Sequence, residues 1–163
     1  MRACQFCIDV SAGERRSVSK KSAKIAALIE SCRGGRHDAH YLGYFACFNE
    51  GLYYEAHDVL EELWLEDRHG ATGNFYKGLI QFAGAFVHMQ KHTTERPRLK
   101  PAAALLKLAR ANLIGYPGTF HDLNVAALLG MIDRWLGKLE TSGYAINPLA
   151  PSSAPALRLK EYD

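Results

Sequence analysis

Between Phe48 and Trp64 the chain reads FNEGLYYEAHDVLEELW, and Glu55, His57, Asp58, Glu61 and Glu62 all fall within eight residues of it. An imidazole titrates near neutrality, so one held beside carboxylates can take up and release protons. The same residue types could also ligate a divalent metal, for which two histidines and one carboxylate would leave an open position. At about 100° per residue, Tyr53, Ala56, Leu60, Leu63 and Trp64 share one inward helix face. His57 falls beside Trp64 on that face, and Glu61 meets it at the i,i+4 spacing. Asp58 adjoins the pair, and Tyr54 sits near the same edge. Glu55 and Glu62 turn toward solvent, with Glu55 in the first turn, where a carboxylate favours the helix dipole.

The next helical stretch, NFYKGLIQFAGAFVHMQKH, is apolar on most sides, as a central buried helix is. Its polar residues Asn74, Lys77, Gln81, His88 and His92 make one narrow stripe, bordered by Gly78, Gly84 and Ala85. Phe75, Leu79, Phe82, Phe86 and Met89 belong to the core. The short loop DRHGATG makes the two helices antiparallel neighbours, so His57 and Glu61 are expected to face Gln81 and His88. Two readings compete. In one, carboxylate, imidazole and amide satisfy each other and hold the helices in register, because burying them unpaired costs several kcal/mol. In the other, the cluster is a small-molecule site. His57, Glu61 and His88 then carry the chemistry, and Asn49, Glu55, Asp58, Trp64 and Gln81 line it. A divalent metal is a lesser version of the second reading. Neither HExxH nor the paired Glu-x-x-His of di-iron bundles is present, so no metal ligands are assigned.

The elements that must position this cluster are helical. SVSKKSAKIAALIESCRGG carries Ile25, Leu28, Ile29 and Cys32 at one-face spacing, with Ser17 or Ser19 as a cap and Gly34-Gly35 as a stop. HDAHYLGYFACFNEG follows, with Asp38 as N-cap, an aromatic stripe of Tyr41, Tyr44, Phe45 and Phe48, and Gly51 supplying a left-handed end. After the two central helices, Pro97 breaks the pattern. LKPAAALLKLARANLIGY then opens with Pro101 in its first turn. PGTFHDLN reads as a loop. VAALLGMIDRWLGKLE points Val125, Leu128, Leu129, Ile132, Trp135, Leu136 and Leu139 inward. No alternating strand pattern and no repeat at a fixed period stands out. The expectation is an all-α fold, a compact antiparallel bundle of five to six helices. It assigns residues 1–16 to a mobile arm, 17–140 to the bundle, and 141–163 to an extended tail packed on it through Leu149, Leu157 and Leu159.

The two central helices together resemble the bacterial and archaeal family filed as domain of unknown function 309. The resemblance rests on a Phe-Asn-x-Gly entry (Phe48, Asn49, Gly51), a Glu-x-His-Asp-x-x-Glu helix (Glu55, His57, Asp58, Glu61) and Trp64. Gly78-Leu79-Ile80-Gln81 and a later His88 complete it, and it covers roughly residues 40–140. The resemblance implies a compact helical domain and no established activity. This chain departs from it after the third of the helices, where TTERPRLKPAAALL replaces a glycine-bearing loop. Arg96, Arg98 and Lys100 in that segment could attract an anion.

With 163 residues, 48% apolar and 23% charged, the chain has the composition of one ordinary globular domain. A chain of this length buries roughly 70% of its unfolded surface and needs no covalent staple. A net charge of +3 is too mild for a duplex-binding stripe, so no nucleic acid is expected. No apolar run reaches the ~20 residues of a membrane span. The opening MRACQFCIDVSAGERRS lacks a signal peptide's apolar core, which points to the cytoplasm and to reduced cysteines. Cys4, Cys7, His37 and His40 could in principle hold zinc, but their spacing fits no common finger. The functional expectation is an uncharacterised helical-bundle protein with a small-molecule or hydrolase-like site, acting by acid–base or metal-assisted chemistry. Its alternative is a non-enzymatic scaffold, a homodimer among the options, in which the cluster is a structural network.

Overall fold

The computed structural model describes residues 22–161. The arm and the Cys4–Cys7 pair therefore lie outside the described residues. Six helices follow in order: α1 (Ala23–Ser31), α2 (Ala39–Asn49), α3 (Tyr53–Asp67), α4 (Gly73–Gln90), α5 (Leu99–Leu113) and α6 (Val125–Thr141). The fold is all-α, as the periodicity predicts.

The ends of α1, α2 and α6 have local causes. Ser22, rather than Ser17 or Ser19, caps α1 by accepting from the Ile25 N–H. Asp38 caps α2, its carboxylate taking the His40 N–H at 2.7 Å. Gly51, at φ +75°, turns the chain out of α2. There the Leu52 N–H reaches back to the Cys47 carbonyl at 2.9 Å, satisfying an end that would otherwise lack partners. Asn124 caps α6 by accepting from the Ala127 N–H at 2.9 Å.

The expected loop PGTFHDLN is instead a hairpin. Thr119–Phe120 (β1) pairs antiparallel with Leu123–Asn124 (β2). Its two turn residues, His121 and Asp122, sit at φ +47° and +62°, the left-handed region that glycine and asparagine usually fill. Strands of two residues are too short to leave an alternating pattern. Leu159 of the C-terminal segment adds an antiparallel bridge to Leu123.

Rings and hydroxyls tie α2, α4 and α6 into one layer. The Tyr44 hydroxyl donates to the Leu79 carbonyl at 2.7 Å. Phe48 stacks on Phe82 at 5.3 Å, and Phe86 meets Trp135 edge-on at 4.9 Å. α3 packs on α2 and α4, and α5 packs on α4 and α6. Gly78 permits the close approach of α5: a Cβ there would lie 2.6 Å from Leu113 Cγ. From Tyr144 the chain runs extended over the bundle, with one 3₁₀ turn at Pro151–Ser153. It is held by Asn147, which donates to the Met89 carbonyl at 2.7 Å, and by buried Leu157. No helix among the described residues is long and apolar enough to cross a membrane.

Candidate functional site

α4 is buried along most of its length, yet Lys77, Gly84 and His88 are partly exposed. Their spacing places them on one stripe, which lies open between α3 and α5. Gly84 lies on this stripe where α5 closes in: a Cβ there would come 3.2 Å from Leu105 Cδ1. The α3 wall presents His57, Glu61 and Trp64, at i, i+4 and i+7. Tyr53 packs on Phe86 at 5.2 Å, and the Lys91 ammonium stands 5.4 Å from the Tyr54 ring centre. These two contacts fix the antiparallel register and put His57 level with the span from Phe82 to His88. Trp64, two turns further along α3, lies about 10 Å away along the axis.

Three nitrogens are buried here without any hydrogen-bond partner: Nδ1 of His57, Nε1 of Trp64 and Nδ1 of His88. Buried polar atoms are nearly always paired, because an unmade bond costs about 1–3 kcal/mol. The mutual network that sequence periodicity allows does not form. Burial lowers the pKa of His57, with Glu61 and then Asp58 pulling it back up. Burial also lowers His88, and the neighbouring Arg98 and Lys91 charges push the same way. Both rings are therefore neutral at pH 7, each with one N–H and one lone pair to offer. Tyr54 stacks on His57 at 6.4 Å and shields one side of it.

Three expected site residues are engaged elsewhere. The Gln81 side chain is buried, but its oxygen accepts from Asn112 Nδ2 on α5 at 2.7 Å, so it braces α4 against α5 and does not meet His57. Asn49 clamps the C-terminal segment, donating to the Leu157 carbonyl at 2.7 Å and accepting the Leu157 N–H at 2.8 Å. Glu55 turns toward α2, where its charge adds to the burial that pushes the Cys47 thiol up to about 11. A thiol so raised is inert packing. His57, Glu61 and Trp64 remain on one wall, with Asp58 at its exposed edge and His88 across the floor. Tyr54, Lys91 and Arg98 complete the surroundings. Their relation to His57 and His88 depends on the α3/α4 register, which helical periodicity alone leaves free.

Other polar groups that the sequence brings forward are saturated. Among the described residues no three His, Cys, Asp or Glu side chains converge closely enough to hold a metal ion. His37 bonds to Asp122 at 2.7 Å, and His40 lies between Asp38 at 3.3 Å and Glu62 at 3.0 Å. A concavity of about 460 Å³ opens between the α2–α3 turn and the C-terminal segment, lined in part by Asn49, Tyr53, Met89 and Asn147. Its asparagines are the ones already spent on holding that segment.

Comparison with known proteins agrees with the resemblance. An uncharacterized protein of Aquifex aeolicus (strain VF5) is 27% identical over 93 residues, which is 57% of this chain and 26% of that protein. The chain thus spans about a quarter of the length of that relative. No solved structure matches. Residues 41–96, which run from α2 through the His57 and His88 helices into the α4–α5 loop, match the family described as Domain of unknown function (DUF309).

Proposed function

We propose that the groove between α3 and α5 binds a small polar molecule through His57, Trp64 and His88. The observation that carries this is the trio of buried nitrogens without partners. A folded chain retains such a cost where a ligand relieves it. Trp64 Nε1 can only donate, so the ligand supplies an acceptor there. Neutral His57 can accept a proton from a bound hydroxyl or water. Glu61 and Asp58 would stabilise the imidazolium that results, which is what hydrolase-like chemistry requires of a base. The setting we assign is cytoplasmic, consistent with Cys32 and Cys47 as free thiols.

The test is a thermal-shift screen of small polar metabolites on the wild type, Trp64→Phe and His57→Phe. At least one compound should raise the melting temperature of the wild type and leave both variants unmoved. Compounds that shift all three proteins equally would remove the groove from consideration. A second reading, a scaffold that pairs with another copy, is favoured by Tyr54 and Leu65, each 53% exposed on α3. It predicts a dimer in solution that Leu65→Glu dissociates.

A further inference from the structure

The outer side of α6 faces solvent, while Val125, Leu128, Ile132, Trp135, Leu136 and Leu139 are buried on the other. An open groove of about 690 Å³ runs along that outer side, lined by Arg134, Gly137 and Thr141 of the helix and by Ile146 and Pro148 of the C-terminal segment. Ile146 is 68% exposed, more than any other large apolar side chain among the described residues. An exposed apolar surface with a charged rim is the usual form of a docking face.

The charges on this face are arranged about a line. At 100° per residue, Ala126, Gly130, Gly137 and Thr141 form a strip about 60° wide along the helix. Asp133 lies about 20° beyond one edge of it and Arg134 about 20° beyond the other, both at the midpoint of its length. Asp133 accepts from Arg110 Nε through Oδ1 at 2.8 Å and is still 53% exposed. Arg134 is exposed as well. The fold itself has no use for the two glycines. A Cβ at Gly137 would meet nothing within 4 Å, and one at Gly130 only the flexible end of Arg134, at an ordinary 3.6 Å. Both lie inside a helix, where glycine is less stable than alanine. Gly78, by contrast, is needed for the approach of α5.

We infer that this face of α6 docks against the same face of a second copy of the chain, with the two α6 helices parallel. The charges select both the occupant and the direction. A two-fold axis parallel to the helices brings opposite flanks together, so each Asp133 meets the Arg134 of the other copy, twice over. A two-fold axis across the helices brings like flanks together and sets Asp133 against Asp133 and Arg134 against Arg134. The strip of small residues then lets the two backbones approach at the axis, and Ile146 and Pro148 add apolar area on each side. The surface uses no residue of the groove between α3 and α5 and none of α3, so it is independent of both readings above.

The experiment is sedimentation equilibrium of the full chain across a wide range of concentrations, with a charge exchange as its core. Expected is a reversible monomer–dimer equilibrium. Arg134→Glu should weaken it at least about tenfold, since it sets like charges together on both flanks. Adding Asp133→Lys to that variant should restore the dimer to within about threefold of the wild type. Gly137→Leu should weaken it by a similar factor and, having open space in the monomer, should leave the circular dichroism and the melting of the dilute protein unchanged. Leu65→Glu on α3 should leave the dimer intact. A chain that stays monomeric at hundreds of micromolar would overturn the inference. So would a dimer that Arg134→Glu strengthens, that the double exchange fails to restore, that is indifferent to Gly137→Leu, or that Leu65→Glu takes apart.

Discussion

Two histidine-bearing regions of this protein face opposite ways in their chemistry. At the hairpin corner, Asp122 accepts from His37 at 2.7 Å and lies 3.3 Å from Arg36 Nε, and its carbonyl takes the Lys160 N–H at 2.7 Å. The neighbouring His121 carbonyl accepts the Tyr41 hydroxyl at 2.9 Å, and the His121 ring packs 4.4 Å from Phe120. In the groove, His57, Trp64 and His88 each keep a buried nitrogen unpaired. The corner uses its partners to hold a turn at two positive φ values, each of which costs of order 1–3 kcal/mol in a residue other than glycine. The groove has no such backbone to hold. The histidine with a partner at the corner holds a turn, and the two in the groove hold no backbone through their unpaired nitrogens.

That contrast can be broken most decisively at Asp122. Asp122→Ala should cost about 3 kcal/mol in urea unfolding, since it takes the acceptor from the part-buried His37 ring and removes a residue tolerant of the left-handed region. A loss below about 0.5 kcal/mol would mean the corner is not a clasp. Tyr41→Phe comes next, at about 1–2 kcal/mol, because the His121 carbonyl would lose its donor. On the groove side the sign should reverse. His57→Phe should raise stability by about 1 kcal/mol, as it removes an unpaired polar atom from a buried position. A fall of 2 kcal/mol or more would make His57 a structural group like those at the corner.

The smallest effect is in the pH dependence. His57 and His88 have folded pKa values lowered by burial, and His121 is lowered by burial and then by His37. In each case the unfolded chain binds the proton more readily. Stability should therefore be level above about pH 6.5 and fall as pH drops through the depressed folded values. His57→Phe should flatten part of that fall, and a slope identical to the wild type would show that His57 does not titrate differently on folding.

Helical periodicity is strong wherever a long helix buries one face, so α2 through α6 are legible from apolar spacing, with Asp38, Gly51 and Pro101 marking their ends. The hairpin is not, because two-residue strands carry no pattern and the left-handed turn uses His and Asp where Asn and Gly would announce it. The same limit applies to the site. The i, i+4, i+7 spacing of His57, Glu61 and Trp64 is a property of one helix, and the sequence places them together by itself. Which side chains meet them is a property of how two helices sit together. Gln81 and His88 share a stripe on α4, yet Gln81 turns to Asn112 while His88 stays open beside Arg98 and Lys91.

The sequence alone thus determines the helices, their buried faces and the residues that share each face, because those follow from 3.6 residues per turn and the exclusion of apolar surface from water. Only the tertiary structure decides which polar groups find partners. Hydrogen bonding acts over about 3 Å, and a rotation of one helix by part of a turn exchanges a satisfied amide for an orphaned imidazole.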